Sequence, residues 1–125
     1  MNIYLDELCN LVKDGSVLTV RQLSLLIEIY KNPCQSVDFY QEKLNLNKPS
    51  ITRSAKALIE LGYIRKYRNP LDFRKISVFL SMSGIDLIAK LLKIDEDDEH
   101  FIEYKTQMKI KNDNRDEREN DAIAM

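Results

Sequence analysis

The pattern of apolar and polar positions divides the chain into a helical first half, a short alternating stretch and a second helical region. Ile3, Leu8, Leu11 and Val12 form a loose stripe that predicts a helix over about 3–13, broken at Asp14-Gly15-Ser16. The next helix has a sharper start. Thr19 with Gln22 three residues on is a capping box, each side chain satisfying an amide that a helix start leaves orphaned. Leu23, Leu26, Ile27 and Tyr30 fall on one face and Leu25 and Ile29 widen it, as expected of the central helix of a core. Asn32-Pro33 ends it.

Ser36 opens a third helix, with Val37, Tyr40 and Leu44 at i, i+3 and i+7. Asn45-Leu46-Asn47 is a tight connection anchored by Leu46. Asn47 then caps a helix with Pro49 in its first turn, where amides lack intrahelical acceptors and proline does no harm. Ile51, Ala55 and Leu58 are its core-facing stripe and Gly62 its left-handed stop. After Gly62 the period changes to two. Residues 63–67 and 76–80 predict two strands, the second with Ile76, Val78 and Leu80 on one face, joined by a polar loop RNPLDFRK. Ser81 or Ser83 caps a further helix through Ile85, Ile88, Ala89, Leu91 and Leu92.

Beyond Ile94 the chain turns acidic. Phe101, Tyr104 and Met108 form a thin stripe on a helix expected to be solvated, and disorder is expected from Asn112. The expected organisation is a winged-helix domain over 1–94, with N- and C-terminal dimerisation helices, followed by an acidic polar tail over 95–125. The fold class is mainly α with a small β-hairpin wing (α+β), a winged helix-turn-helix. In such a unit one helix is held rigidly by another packed across it, so that its outer face fits a DNA major groove.

Charge supports that reading once it is resolved along the chain. The formal net charge is −1, yet residues 1–94 hold 14 Lys/Arg against 9 Asp/Glu, and residues 95–125 hold 5 against 11. Within 48–75 eight cations face two acids, a local field suited to a polyanion. On the helix after Asn47, Ser50, Thr52 and Arg53 are candidates for base edges, and Lys48 and Lys56 for phosphates. In the loop, Arg68, Asn69, Arg74 and Lys75 are candidates for a neighbouring minor groove. Asp72, an acid among these cations, is expected to orient one of them.

Here the chain resembles the MarR family of bacterial regulators, over about 65 residues. The resemblance is carried by the Leu-rich helix opening with Thr19 and Gln22, by Lys48-Pro49-Ser50, and by Arg53 and Leu58. Glu60-Leu61-Gly62-Tyr63-Ile64, Asp72-Phe73-Arg74-Lys75, Leu80-Ser81 and Gly84 follow in family order. It implies a winged helix that binds double-stranded DNA as a homodimer and regulates transcription, with repression as the expected mode. It also implies that Arg74 enters the minor groove and that Asp72 orients it. The family's N-terminal helix is usually longer than the 18 residues that precede Thr19 here, and the C-terminal part here is acidic. A small-molecule effector has no residue in this sequence to support it.

Other chemistry finds little footing. His100 has no second histidine or spaced cysteine for zinc, and the run Asp95-Glu96-Asp97-Asp98-Glu99 lacks the glycine that would let consecutive acids converge on a cation. Cys9 has no adjacent cation to activate it, and with Cys34 it makes no metal spacing or disulfide scaffold. No glycine-rich nucleotide loop or nucleophile elbow occurs, so neither an enzyme nor a cofactor is expected. No apolar run approaches a membrane span, and the opening MNIYLDELCN lacks the order of a signal peptide, which predicts a cytoplasmic protein. A competing class is a winged-helix protein-interaction or replication/assembly module of a phage or plasmid system. Tyr67, Leu71 and Phe73 would supply its apolar wing surface.

Overall fold

A computed structural model describes residues 18–69 and 72–119; the side chains of residues 69, 72–75 and 115–119 lie outside that description, as do the helix expected over 3–13 and Cys9. The elements run α1 (Val20–Lys31), β1 (Gln35–Ser36), α2 (Val37–Leu44), α3 (Lys48–Glu60), β2 (Ile64–Asn69), β3 (Asp72–Leu80), α4 (Met82–Leu91) and α5 (Glu99–Glu119). The described part is therefore five helices and a three-stranded antiparallel sheet in the order β1-β3-β2.

Local chemistry accounts for the helix starts. The Thr19 hydroxyl accepts from the Gln22 amide at 3.1 Å while Gln22 Oε1 accepts from the Thr19 amide at 3.0 Å, completing the capping box. Ser36 Oγ accepts from Phe39 N, Asn47 Oδ1 from Ser50 N and Ser81 Oγ from Gly84 N. Each such cap contributes about 1 kcal/mol. The stops are equally local. Asn45 and Gly62 take positive φ, 53° and 82°, conformations that Asn and Gly adopt at little cost.

Leu25, Leu26 and Ile29 of α1, Tyr40 of α2, Ile51 and Leu58 of α3, Ile64, Val78 and Leu80 of the strands, and Ile85 and Ile88 of α4 are all fully buried. Burying each such side chain stabilises the fold by roughly 1.5–3 kcal/mol. The Tyr40 hydroxyl donates to the Asn32 carbonyl and accepts from the Gln35 amide, tying α2 to the end of α1. Burial holds its phenol well above the ordinary tyrosine range.

Three features differ from the sequence expectation. A third strand, β1, pairs Gln35 with Val78 and Ser36 with Ser77. Two residues are too short a run to show any period. Second, the strands extend through most of the expected loop, since β2 reaches Asn69 and β3 begins at Asp72. Backbone pairing continues into the stretch RNPLDFRK, where apolar alternation no longer marks it.

The third difference is α5. Its stripe is not solvated: Phe101 and Met108 are buried, and Tyr104 packs edge-on against Tyr30 of α1 with ring centroids 4.9 Å apart. The helix also continues to Glu119, through residues expected to be disordered. It begins where the acids end. Asp98 Oδ1 accepts from the amides of His100 and Phe101, so the last acids of the run cap the helix and open it. Strand alternation explains what α5 covers. Ile64 and Leu80 turn toward the helical core, whereas Tyr67 and Phe79 pair on the other face with centroids 5.7 Å apart, and Lys111 of α5 lies over Tyr67.

Candidate nucleic-acid interface

Helix α3 is two-faced. At 100° per residue, Ser50, Ile51, Ser54, Ala55 and Leu58 occupy one continuous arc, and all five are buried. The opposite arc carries Lys48, Thr52, Arg53 and Lys56, all exposed. Four of the five residues expected on the outer face are there. Ser50 is not: it is 5% exposed and sits beside Ser54 against the core, which corrects its expected placement. The reason is angular and was available in the sequence, because Ser50 is one residue before Ile51 and four before Ser54.

The inner arc fixes the helix rigidly. Ile51 and Leu58 have no exposed surface, and α3 packs across both α1 and α2. The turn between α2 and α3 is held by Leu46 N donating to Gln41 O at 3.2 Å, and Leu46, expected as a buried anchor, is half-buried against the core. The outer arc is thus presented on a frame that cannot easily rotate.

The hairpin leaves the core directly after α3. Gly62 lets the chain reverse, and Tyr63 N donates back to Leu58 O at 3.0 Å. Regular pairing runs from Ile64–Leu80 to Arg68–Ile76, then the register shifts so that Asn69 faces Asp72. Such an irregularity bends a hairpin and re-aims its tip. Arg68 is exposed at that point. The side chains of Asn69, Asp72, Arg74 and Lys75 lie outside the described residues, as do Leu71 and the side chain of Phe73. Tyr67 is half-buried between Phe79 and Lys111, so it does not supply open apolar surface.

Cys34 is a free, half-buried thiol at φ 67°, its amide donating to Val78 O at 3.0 Å. Burial pushes its pKa up, although Lys111 and Tyr67 pull the other way. A thiol so placed is a poor nucleophile. Among the described residues no group of three His, Cys, Asp or Glu side chains converges to hold a metal, and none of their helices is long and apolar enough to cross a membrane.

A rigidly packed helix with a polar, cationic outer arc, followed at once by a basic hairpin, defines a winged helix-turn-helix. The MarR family model matches residues 18–76 of the chain. Solved structures share the fold. A point mutant of S. aureus MepR bound to an oligodeoxyribonucleotide is 20% identical, with TM-score 0.63 over 85% of this chain and 81% of that one. The transcriptional regulator Tm0710 from Thermotoga maritima is also 20% identical, with TM-score 0.62 over 96% and 88%. A MarR transcriptional regulator from Methanosarcina mazei Go1 is 22% identical, with TM-score 0.59 over 81% and 80%. No curated protein matches the chain by sequence.

Proposed function

We propose that this protein is a sequence-specific, double-stranded-DNA-binding transcription regulator that acts as a homodimer and represses by occupying its site. The observation that carries the reading is the division of α3 into a buried arc and an outer arc of Lys48, Thr52, Arg53 and Lys56. In this reading Arg53 and Thr52 contact base edges in the major groove, and Lys48 and Lys56 contact phosphates. The hairpin lies along the neighbouring minor groove, with Arg68, Asn69, Arg74 and Lys75 facing it and Asp72 orienting Arg74. The oligonucleotide-bound MepR mutant supports the assignment through its fold.

The geometry of half-site recognition supports dimerisation. One winged domain covers a single half-site, and two-fold pairing doubles the surface that reads sequence. Exposed Val20, Ile102 and Ile110 provide apolar area for such contact. The experiment is selection of bound fragments from random duplex DNA at physiological salt, repeated with Arg53→Ala. A palindromic consensus that blurs in the variant supports the proposal. Recovery of unselected sequence by both proteins rejects it.

A further inference from the structure

Asn112 lies on α5, is 5% exposed, and bonds to both strands of the hairpin as well as to its own helix. Its Nδ2 donates to the Leu80 carbonyl at 3.2 Å and to the Met108 carbonyl at 2.8 Å. Arg65 Nη1 donates to Asn112 Oδ1 at 3.4 Å and reaches its backbone carbonyl at 3.5 Å. Leu80 closes β3 and Arg65 is the second residue of β2, so one side-chain amide joins both strands of the hairpin at their root. One residue earlier, Lys111 Nζ stands 4.9 Å from the Tyr67 ring centroid, two positions further along β2.

Elsewhere α5 packs through Phe101, Tyr104 and Met108, and Lys105 makes an exposed ion pair with Asp86 of α4 at 3.7 Å, which solvent screens. Apolar contact is non-directional, and by itself lets a helix slide or roll on a sheet. A buried amide behaves differently, because it costs free energy in every register that leaves it unpaired. Moving α5 by one turn would keep the Met108 bond, which lies within the helix, but would break the bond from Asn112 Nδ2 to Leu80 and the contact of its Oδ1 with Arg65. A single polar residue in an otherwise apolar stripe therefore selects one register, as buried asparagines do in helical coiled coils.

We propose that Asn112 is a positioning residue for the wing: it locks α5 in one register across the back of the sheet and so sets the direction in which the hairpin leaves the core. The consequence for DNA contact rests on the function proposed above. The helical core holds α3 from one side and α5 holds β2 and β3 from the other, which makes recognition helix and wing one rigid body. The register itself is a property of the fold alone.

Two measurements on the full chain test this. Backbone hydrogen exchange is compared for the unaltered protein, Asn112→Ala and Lys111→Met, the latter carrying little folding risk. Affinity is measured on the duplex recovered by the selection described above. Asn112→Ala is expected to speed exchange selectively in the amides of 64–69 and 76–80, leave α1 and α3 protected, and weaken the selected duplex about tenfold. Lys111→Met is expected to show the same pattern, less strongly. Unchanged exchange in the hairpin overturns the proposal, and so does an equal rise across α1, α3 and the hairpin, which marks a general loss of stability. Selective exchange with unchanged affinity overturns the link from register to DNA. If the unaltered protein binds no duplex, the function reading fails, while the exchange pattern still decides the lock.

Discussion

Gly84 of α4 lies directly against the carbonyl of Tyr63, so closely that a Cβ at position 84 would overlap the Tyr63 oxygen and approach its carbonyl carbon to 3.1 Å. The approach is built by neighbours. Ser81 N donates to that same Tyr63 carbonyl at 3.0 Å, and Ser81 Oγ donates to the Gly62 carbonyl while capping α4. The end of α3, the hairpin root and the start of α4 thus meet at one point.

Gly84→Ala is accordingly expected to destabilise the fold by about 3 kcal/mol, because the obstruction is backbone and cannot swing aside. Gly62→Ala is a useful contrast. Nothing lies within 4 Å of a Cβ there, so the cost is the positive φ alone, about 1 kcal/mol. Urea unfolding of both variants should rank them in that order.

Arg53→Ala and Lys56→Ala should separate base reading from phosphate contact. Losing Arg53 is expected to relax preference at its base pair by about 1–3 kcal/mol. Losing Lys56 should weaken all sequences alike and reduce the salt slope by about one. Titration of selected and scrambled duplexes across a salt series reads both quantities. Equal losses on every sequence for Arg53→Ala would remove its base-reading role.

Leu58→Ala tests whether the inner arc of α3 holds the outer one. Leu58 is fully buried, and its truncation is expected to cost about 2–5 kcal/mol by opening a cavity. Far-ultraviolet circular dichroism with thermal melting checks this directly.

Tyr104 carries a buried hydroxyl with no hydrogen-bond partner among the described residues. Tyr104→Phe keeps the ring contact with Tyr30 and removes that hydroxyl, so stability should hold or rise by about 1 kcal/mol. A pH dependence goes with it. Burial first, and Tyr30, Cys34 and Tyr40 after it, push the Tyr104 phenol well above its ordinary value. The folded protein therefore retains a proton that the unfolded chain releases above about pH 10, and stability falls as pH rises through that region. The fall should be shallower in Tyr104→Phe, as measured by urea midpoints from about pH 8 to 11.

The caps at Thr19, Ser36 and Asn47 and the stop at Gly62 were legible, and the cap of α4 was narrowed to Ser81 or Ser83, because each is decided within about three residues by hydrogen bonding or backbone sterics. The buried stripe of α3 was legible from its period, and the same arithmetic, applied one residue further, would have turned Ser50 inward. Phe101, Tyr104 and Met108 were visible as a stripe, but nothing near them said what they would meet.

The sequence by itself determined where α1, α2 and α3 begin and end, which arc of α3 faces the core, and where cations concentrate along the chain. Those properties depend on neighbours three or four residues apart, on period and on local charge. Tertiary structure alone decided that β1 completes the sheet, that β2 and β3 run on through the expected loop, and that α5 closes the back of the hairpin. The bonds behind the last of these, Asn112 to Leu80 and Arg65 to Asn112, span 32 and 47 positions. No local pattern encodes partners that far apart; they are chosen when the chain closes around a common core and each buried polar group must find its match.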